Sequence, residues 1–142
     1  MDNETAQSYY NHLLTLAIRQ DQSFGTLASA FLRDNNLQEL GFRTDEEFNL
    51  LLAASQAFGP EPRRYGTKLE FLERALKLSE SLESLPVQIP QQIQQEIQKT
   101  KKDLDNYHEA VHVIRNSEEE RAKIFIECEF LVERVGFFLC FI

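Results

Sequence analysis

Five consecutive residues, His108-Glu109-Ala110-Val111-His112, have the types and spacing of a metal-dependent site. Histidines at i and i+4 share one face of a helix and can ligate a single zinc ion. The intervening glutamate is then placed to polarise a metal-bound water. A third ligand would have to come from another part of the chain, and Glu127, Glu129 and Glu133 lie further along it. Zinc or iron at His108, Glu109 and His112 is therefore the cofactor reading to weigh against a chain with no cofactor.

The helix that must present this pattern decides how much chemistry it can do. Two prolines, Pro86 and Pro90, form the clearest joint in the chain. They forbid helix continuity there, and Pro90 can serve as a first helical residue. A helix is expected from there to about Asn116. Its apolar positions, Ile93, Ile97, Leu104, Tyr107, Val111 and Ile114, together with Thr100, alternate spacings of four and three. That is a heptad seam suited to left-handed helix packing. With Val111 at the centre of the seam, His108 falls about 60° and His112 about 100° to one side, and Glu109 about 160° away. The histidines sit on the shoulder of the seam and the glutamate on its polar back. The five residues resemble the zinc-binding pattern of metallopeptidases over that stretch alone. Those enzymes set a sheet edge beside the helix, and no segment here alternates like a strand over five residues; 124–130 comes nearest. Glu109-x-x-His112 is also half of the pattern of di-iron bundles. The other half is missing, because Tyr9 stands three residues before His12.

Other catalytic patterns are absent. The sequence has no G-x-S-x-G, no C-x-x-C and no phosphate-cradling or dinucleotide glycine run, and its five glycines occur singly. Arg63-Arg64-Tyr65 lies between Pro62 and Gly66 and reads as a solvated loop able to meet an anion. Lys99, Lys101 and Lys102 stand next to Asp103 and Asp105 and read as ordinary helix-surface pairing. The glutamine-rich run 91–98 keeps the seam and reads as a helix start.

The last stretch, Ser117 to Ile142, organises the architecture. Ser117-Glu118-Glu119-Glu120 has the form of a capping box, so a helix break is expected at Asn116-Ser117. Beyond it the chain is apolar around most of a helix and ends in Phe137-Phe138-Leu139-Cys140-Phe141-Ile142. Such a helix must be wrapped by others or shared with a second subunit. Glu127, Glu129, Glu133 and Arg134 interrupt it, and a spanning helix needs about 20 mostly apolar residues, so no transmembrane span is expected. Leu104, Val111, Val135, Phe138, Phe141 and Ile142 are the expected interface residues.

The N-terminal half reads as four further helices. They cover about Thr5–Gln20, Ser23–Arg33, Thr44–Phe58 and Thr67–Ser84, the last two opening on the boxes Thr44-x-x-Glu47 and Thr67-x-x-Glu70. Leu37, Leu40 and Phe42 in the linker are expected to tuck under the bundle. The whole is an all-α bundle of five or six helices in a single domain, 1–142. Its N-terminal helical part is 1–85, and its C-terminal helical pair is 90–142, with the apolar last helix at the centre or interface.

Charge narrows the function. The net charge is −8, and residues 1–60 hold eight acidic against three basic side chains. That balance disfavours nucleic acid, whose binding depends on neutralising phosphates. No basic segment followed by an apolar run marks the start of the sequence. Asn3-Glu4-Thr5 matches a glycosylation pattern that has meaning only after secretion. Cys128 and Cys140 lie roughly 18 Å apart on one helix and cannot bridge each other there. They are expected to be reduced, in a cytoplasmic protein. The leading expectation is a non-catalytic interaction or regulatory adaptor bundle that binds another protein or itself as a homodimer. A metal-binding bundle or metal-dependent hydrolase and a carrier of a small hydrophobic ligand are the alternatives.

Overall fold

A computed structural model describes the backbone of residues 1–59 and 61–140 and the side chains of residues 1–59 and 61–126. The fold is an all-α bundle. Five helices follow one another: α1 (Asn3–Ile18), α2 (Phe24–Asp34), α3 (Thr44–Ala57), α4 (Tyr65–Ser79) and α5 (Gln88–Cys140), with a 3-10 turn at Pro62–Arg64. No strand occurs among the described residues. The chain forms two compact units, Met1–Leu104 and Asp105–Ile142.

Local chemistry sets the ends of the helices in the first unit. Asp2 caps α1, its Oδ1 accepting the Thr5 amide at 2.7 Å. Hydrogen bonds from Thr5 hold the Asp2 carboxyl below its ordinary value. At the other end the amide of Asp21 donates to Leu16 O and that of Gln20 to Ala17 O. This is a Schellman closure, with Gln20 in the left-handed conformation at φ +53°. α3 is capped one residue earlier than the sequence implied: Glu46 Oε1 accepts the Arg43 amide at 3.0 Å, and Thr44 is the first helical residue. α4 likewise starts at Tyr65, so Thr67 lies inside the helix.

The linker between α2 and α3 is itself built. Asn36 Oδ1 accepts the amides of Gln38 and Glu39. The Phe42 amide closes the turn onto Leu37 O, and Gly41 supplies the φ of +88° that this closure needs. The turn drives Leu37 and Phe42 into the core, while Leu40 is half-buried.

That core joins Leu13, Phe31, Leu51 and Phe71 from the first four helices to Ile93 and Ile97 of α5. Phe42 packs against Tyr10 at 5.0 Å and edge-on to Phe31 at 6.1 Å between ring centroids. Tyr10 satisfies its hydroxyl by donating to Glu46 O at 3.0 Å.

α5 corrects the sequence reading. No break falls at Asn116-Ser117; one helix runs from Gln88 to Cys140. Ser117 lies inside this helix and does not begin it. A capping box signals a helix start only where the chain before it turns away, and Arg115-Asn116 contains no proline or glycine to force a turn. The expected C-terminal pair of helices is therefore one element. The core of the first unit is built on α1 to α4 and the start of α5. The described side chains of the stretch expected at the centre or at an interface are not in that core: Ile124, Phe125 and Ile126 are 60%, 64% and 63% accessible in the single chain.

Candidate interaction surface

Followed along α5, the heptad seam passes from buried to open. Ile93, Ile97 and Thr100 are buried. Leu104 and Val111 are half-buried, Tyr107 is 39% exposed, and Ile114 is 57% exposed. Continued through the unbroken helix, the same count of four and three reaches Glu118, Arg121 and Phe125. Phe125 is 64% exposed and is flanked by the exposed Ile124 and Ile126, while the exposed Val113 adjoins Ile114. An isolated exposed leucine or valine is ordinary; a row of large apolar side chains on one helix is not. Of the other expected interface residues, the side chains of Val135 and Phe138, and Phe141 and Ile142 altogether, lie outside the described residues.

Where the seam is buried, side-chain pairs lock it. Lys68 Nζ of α4 donates to Glu96 Oε1 of α5 at 2.8 Å. That hydrogen bond, against partial desolvation, holds the Glu96 carboxyl below its ordinary value. Lys101 Nζ stands 3.7 Å from Glu73 Oε1.

The residues of the metal pattern are all on the surface. His108, Glu109 and His112 are exposed on α5. His112 Nε2 lies 3.3 Å from Asn116 Nδ2, and the His108 ring centroid lies 6.1 Å from that of Tyr107. Among the described residues no three His, Cys, Asp or Glu side chains gather closely enough to hold a metal ion. Glu127, Glu129 and Glu133 have side chains outside the described residues.

The arginine loop is more ordered than its composition suggests. Arg64 Nε pairs with Glu61 Oε2 at 3.2 Å and its guanidinium lies 5.6 Å from the centre of the Phe58 ring, leaving Arg63 exposed. A carrier would need an enclosed apolar space. Two clefts of the first unit, about 430 and 360 Å³, are open, and Gln20, Asp21, Lys68 and Glu96 stand among their walls. Among the described residues no helix is long and apolar enough to cross a membrane.

The sequence reading stopped the seam at Ile114 because it broke the helix there. Carrying the count across Ser117 to Phe125 would have exposed the polar layer at Glu118 and Arg121 and the apolar positions beyond it.

Comparison with protein-family models, with curated proteins and with solved structures finds no match for this chain.

Proposed function

We propose that this chain is a non-catalytic interaction module that works by self-association, with α5 as its contact element. The observation that supports it is the exposure of Tyr107, Ile114 and Phe125 in one heptad register on an unbroken helix. A second helix laid along that register removes the apolar row from water, as in a coiled coil. The helical first unit is then the part that a dimer displays to others, with the acidic balance of residues 1–60 available to a basic partner. A cytoplasmic setting, with Cys128 and Cys140 as thiols, fits this reading.

The test is the mass of the full chain in solution, by sedimentation equilibrium over a hundredfold range of concentration. A reversible dimer is expected. A monomer throughout that range, with the helix content retained by circular dichroism, overturns the reading.

A further inference from the structure

The exposed seam of α5 is interrupted once, at neighbouring core positions of opposite charge. Glu118 occupies the first apolar position of its heptad and Arg121 the second, between Ile114 on one side and Phe125 on the other. The placement of one negative and one positive charge three residues apart distinguishes the ways in which two copies can pair. In a parallel dimer each core layer sets a residue against its own copy, so Glu118 meets Glu118 and Arg121 meets Arg121. Like charges in a desolvated layer are strongly unfavourable. In an antiparallel dimer a first position packs against a second position of the partner. A dyad between residues 119 and 120 then sets each Glu118 against the other copy's Arg121, two charge-assisted pairs in adjacent layers. The same register brings Ile114 opposite Phe125, apolar on apolar, and residue 111 opposite residue 128, a valine and a cysteine. A one-heptad slip in either direction would bury a charge against an apolar side chain.

We infer that the partner of α5 is a second copy of the chain running antiparallel to it, with the Glu118 and Arg121 layers selecting that direction and register. This rests on the self-association proposed above and adds its geometry.

The full chain carrying Cys140→Ser, which leaves Cys128 as its one thiol, tests the direction by mild oxidation. In the antiparallel register the two Cys128 positions are roughly 25 Å apart along the helix axis, far beyond disulfide reach. No cross-linked dimer is expected until Val111→Cys is added, after which one forms readily. Rapid cross-linking through Cys128 alone overturns the inference in favour of a parallel pair. Charge gives a second, independent readout by sedimentation. Glu118→Arg is expected to weaken dimerisation at least about tenfold, and Glu118→Arg with Arg121→Glu to restore it. A dimer indifferent to Glu118→Arg, or a trimer or larger assembly, overturns the register while leaving self-association standing. A parent chain that stays monomeric overturns both.

Discussion

Arg74 of α4 donates from Nη2 to Glu47 Oε1 of α3 at 2.7 Å, and from Nη1 to the Leu32 carbonyl of α2 at 3.3 Å. One guanidinium thus ties three helices. Glu47 is buried, and a buried carboxylate left alone is costly in a way that a missing surface pair is not. Arg74→Met is therefore expected to destabilise the first unit by about 2–3 kcal/mol. That is below the range for a fully buried pair, because Arg74 itself is partly open to water. Urea unfolding followed by circular dichroism measures it. Adding Glu47→Gln to Arg74→Met is expected to recover part of the loss, the signature of a coupled pair.

The Lys68–Glu96 bond carries a pH dependence of definite sign. The carboxyl of Glu96 is held below its ordinary value first by the hydrogen bond from Lys68 and further by the charges of Lys68 and Lys99, against partial desolvation. A depressed carboxylate contributes stability that is fully present above its unfolded value and lost as the pH falls through its folded one. Lys68→Met is thus expected to cost about 0.5–1 kcal/mol at neutral pH, a small figure because water screens the partly open Glu96. The gap between parent and variant is expected to close as the pH falls through the carboxylate range. A gap that does not change with pH would show that the loss comes from packing and not from charge.

Helix existence was legible throughout, because the first four helices carry their apolar residues at helical spacing. α4 was read too long, to about Ser84, because Leu82 and Leu85 continue its apolar spacing, whereas the helix ends at Ser79, well before Pro86. Cap positions were legible only approximately, α4 being capped at Arg64 and not at Thr67. Arg43 caps α3 through its backbone, so the Thr44 hydroxyl that advertised the helix start is one residue inside it. Thr67 was misread for a different reason: its Oγ1 accepts from Arg33 Nη2 across two helices, a tertiary contact invisible to local pattern. The larger miss was Ser117. Local pattern can announce a helix start, but it cannot say whether the previous helix has ended, and the fate of the seam turned on that.

Gln20 offers a stabilising change. It holds φ +53° at the end of α1, a conformation that costs a side chain free energy and glycine almost none. Glycine loses more chain entropy on folding, so the net gain for Gln20→Gly is expected to be modest, about 0.5 kcal/mol, read as a higher urea midpoint with an unchanged slope.

The histidine pair is expected to be dispensable. His108 and His112 are exposed, and two imidazoles alone fall short of the four ligands of a structural zinc site. His108→Ala with His112→Ala is expected to shift unfolding by no more than about 0.5 kcal/mol and to leave the oligomeric state unchanged. Metal analysis of the purified parent checks the same point. Stoichiometric zinc or iron that disappears in the double variant would make the interaction reading secondary to a metal site.

One helix, one seam and the same substitution at two positions separate folding from assembly. Ile97 and Ile114 both lie on the heptad seam of α5, yet Ile97 is 7% exposed and Ile114 57%. Ile97→Asp places an unpaired carboxylate in the core of the first unit and is expected to unfold it, since such burial costs several kcal/mol against a typical domain stability of about 5–15 kcal/mol. Ile114→Asp places the same charge where, in the single chain, water already reaches. Its monomer is expected to keep the helix content and urea midpoint of the first unit. Its dimer is expected to be lost at concentrations where the parent associates, because the carboxylate would then lie in a desolvated layer opposite Phe125 of the other copy. Circular dichroism and sedimentation on the two variants give a two-by-two outcome. If Ile114→Asp unfolds the first unit, the seam beyond Leu104 contributes to the fold of the single chain. If it leaves the parent's oligomeric state intact, this face of α5 is not the contact.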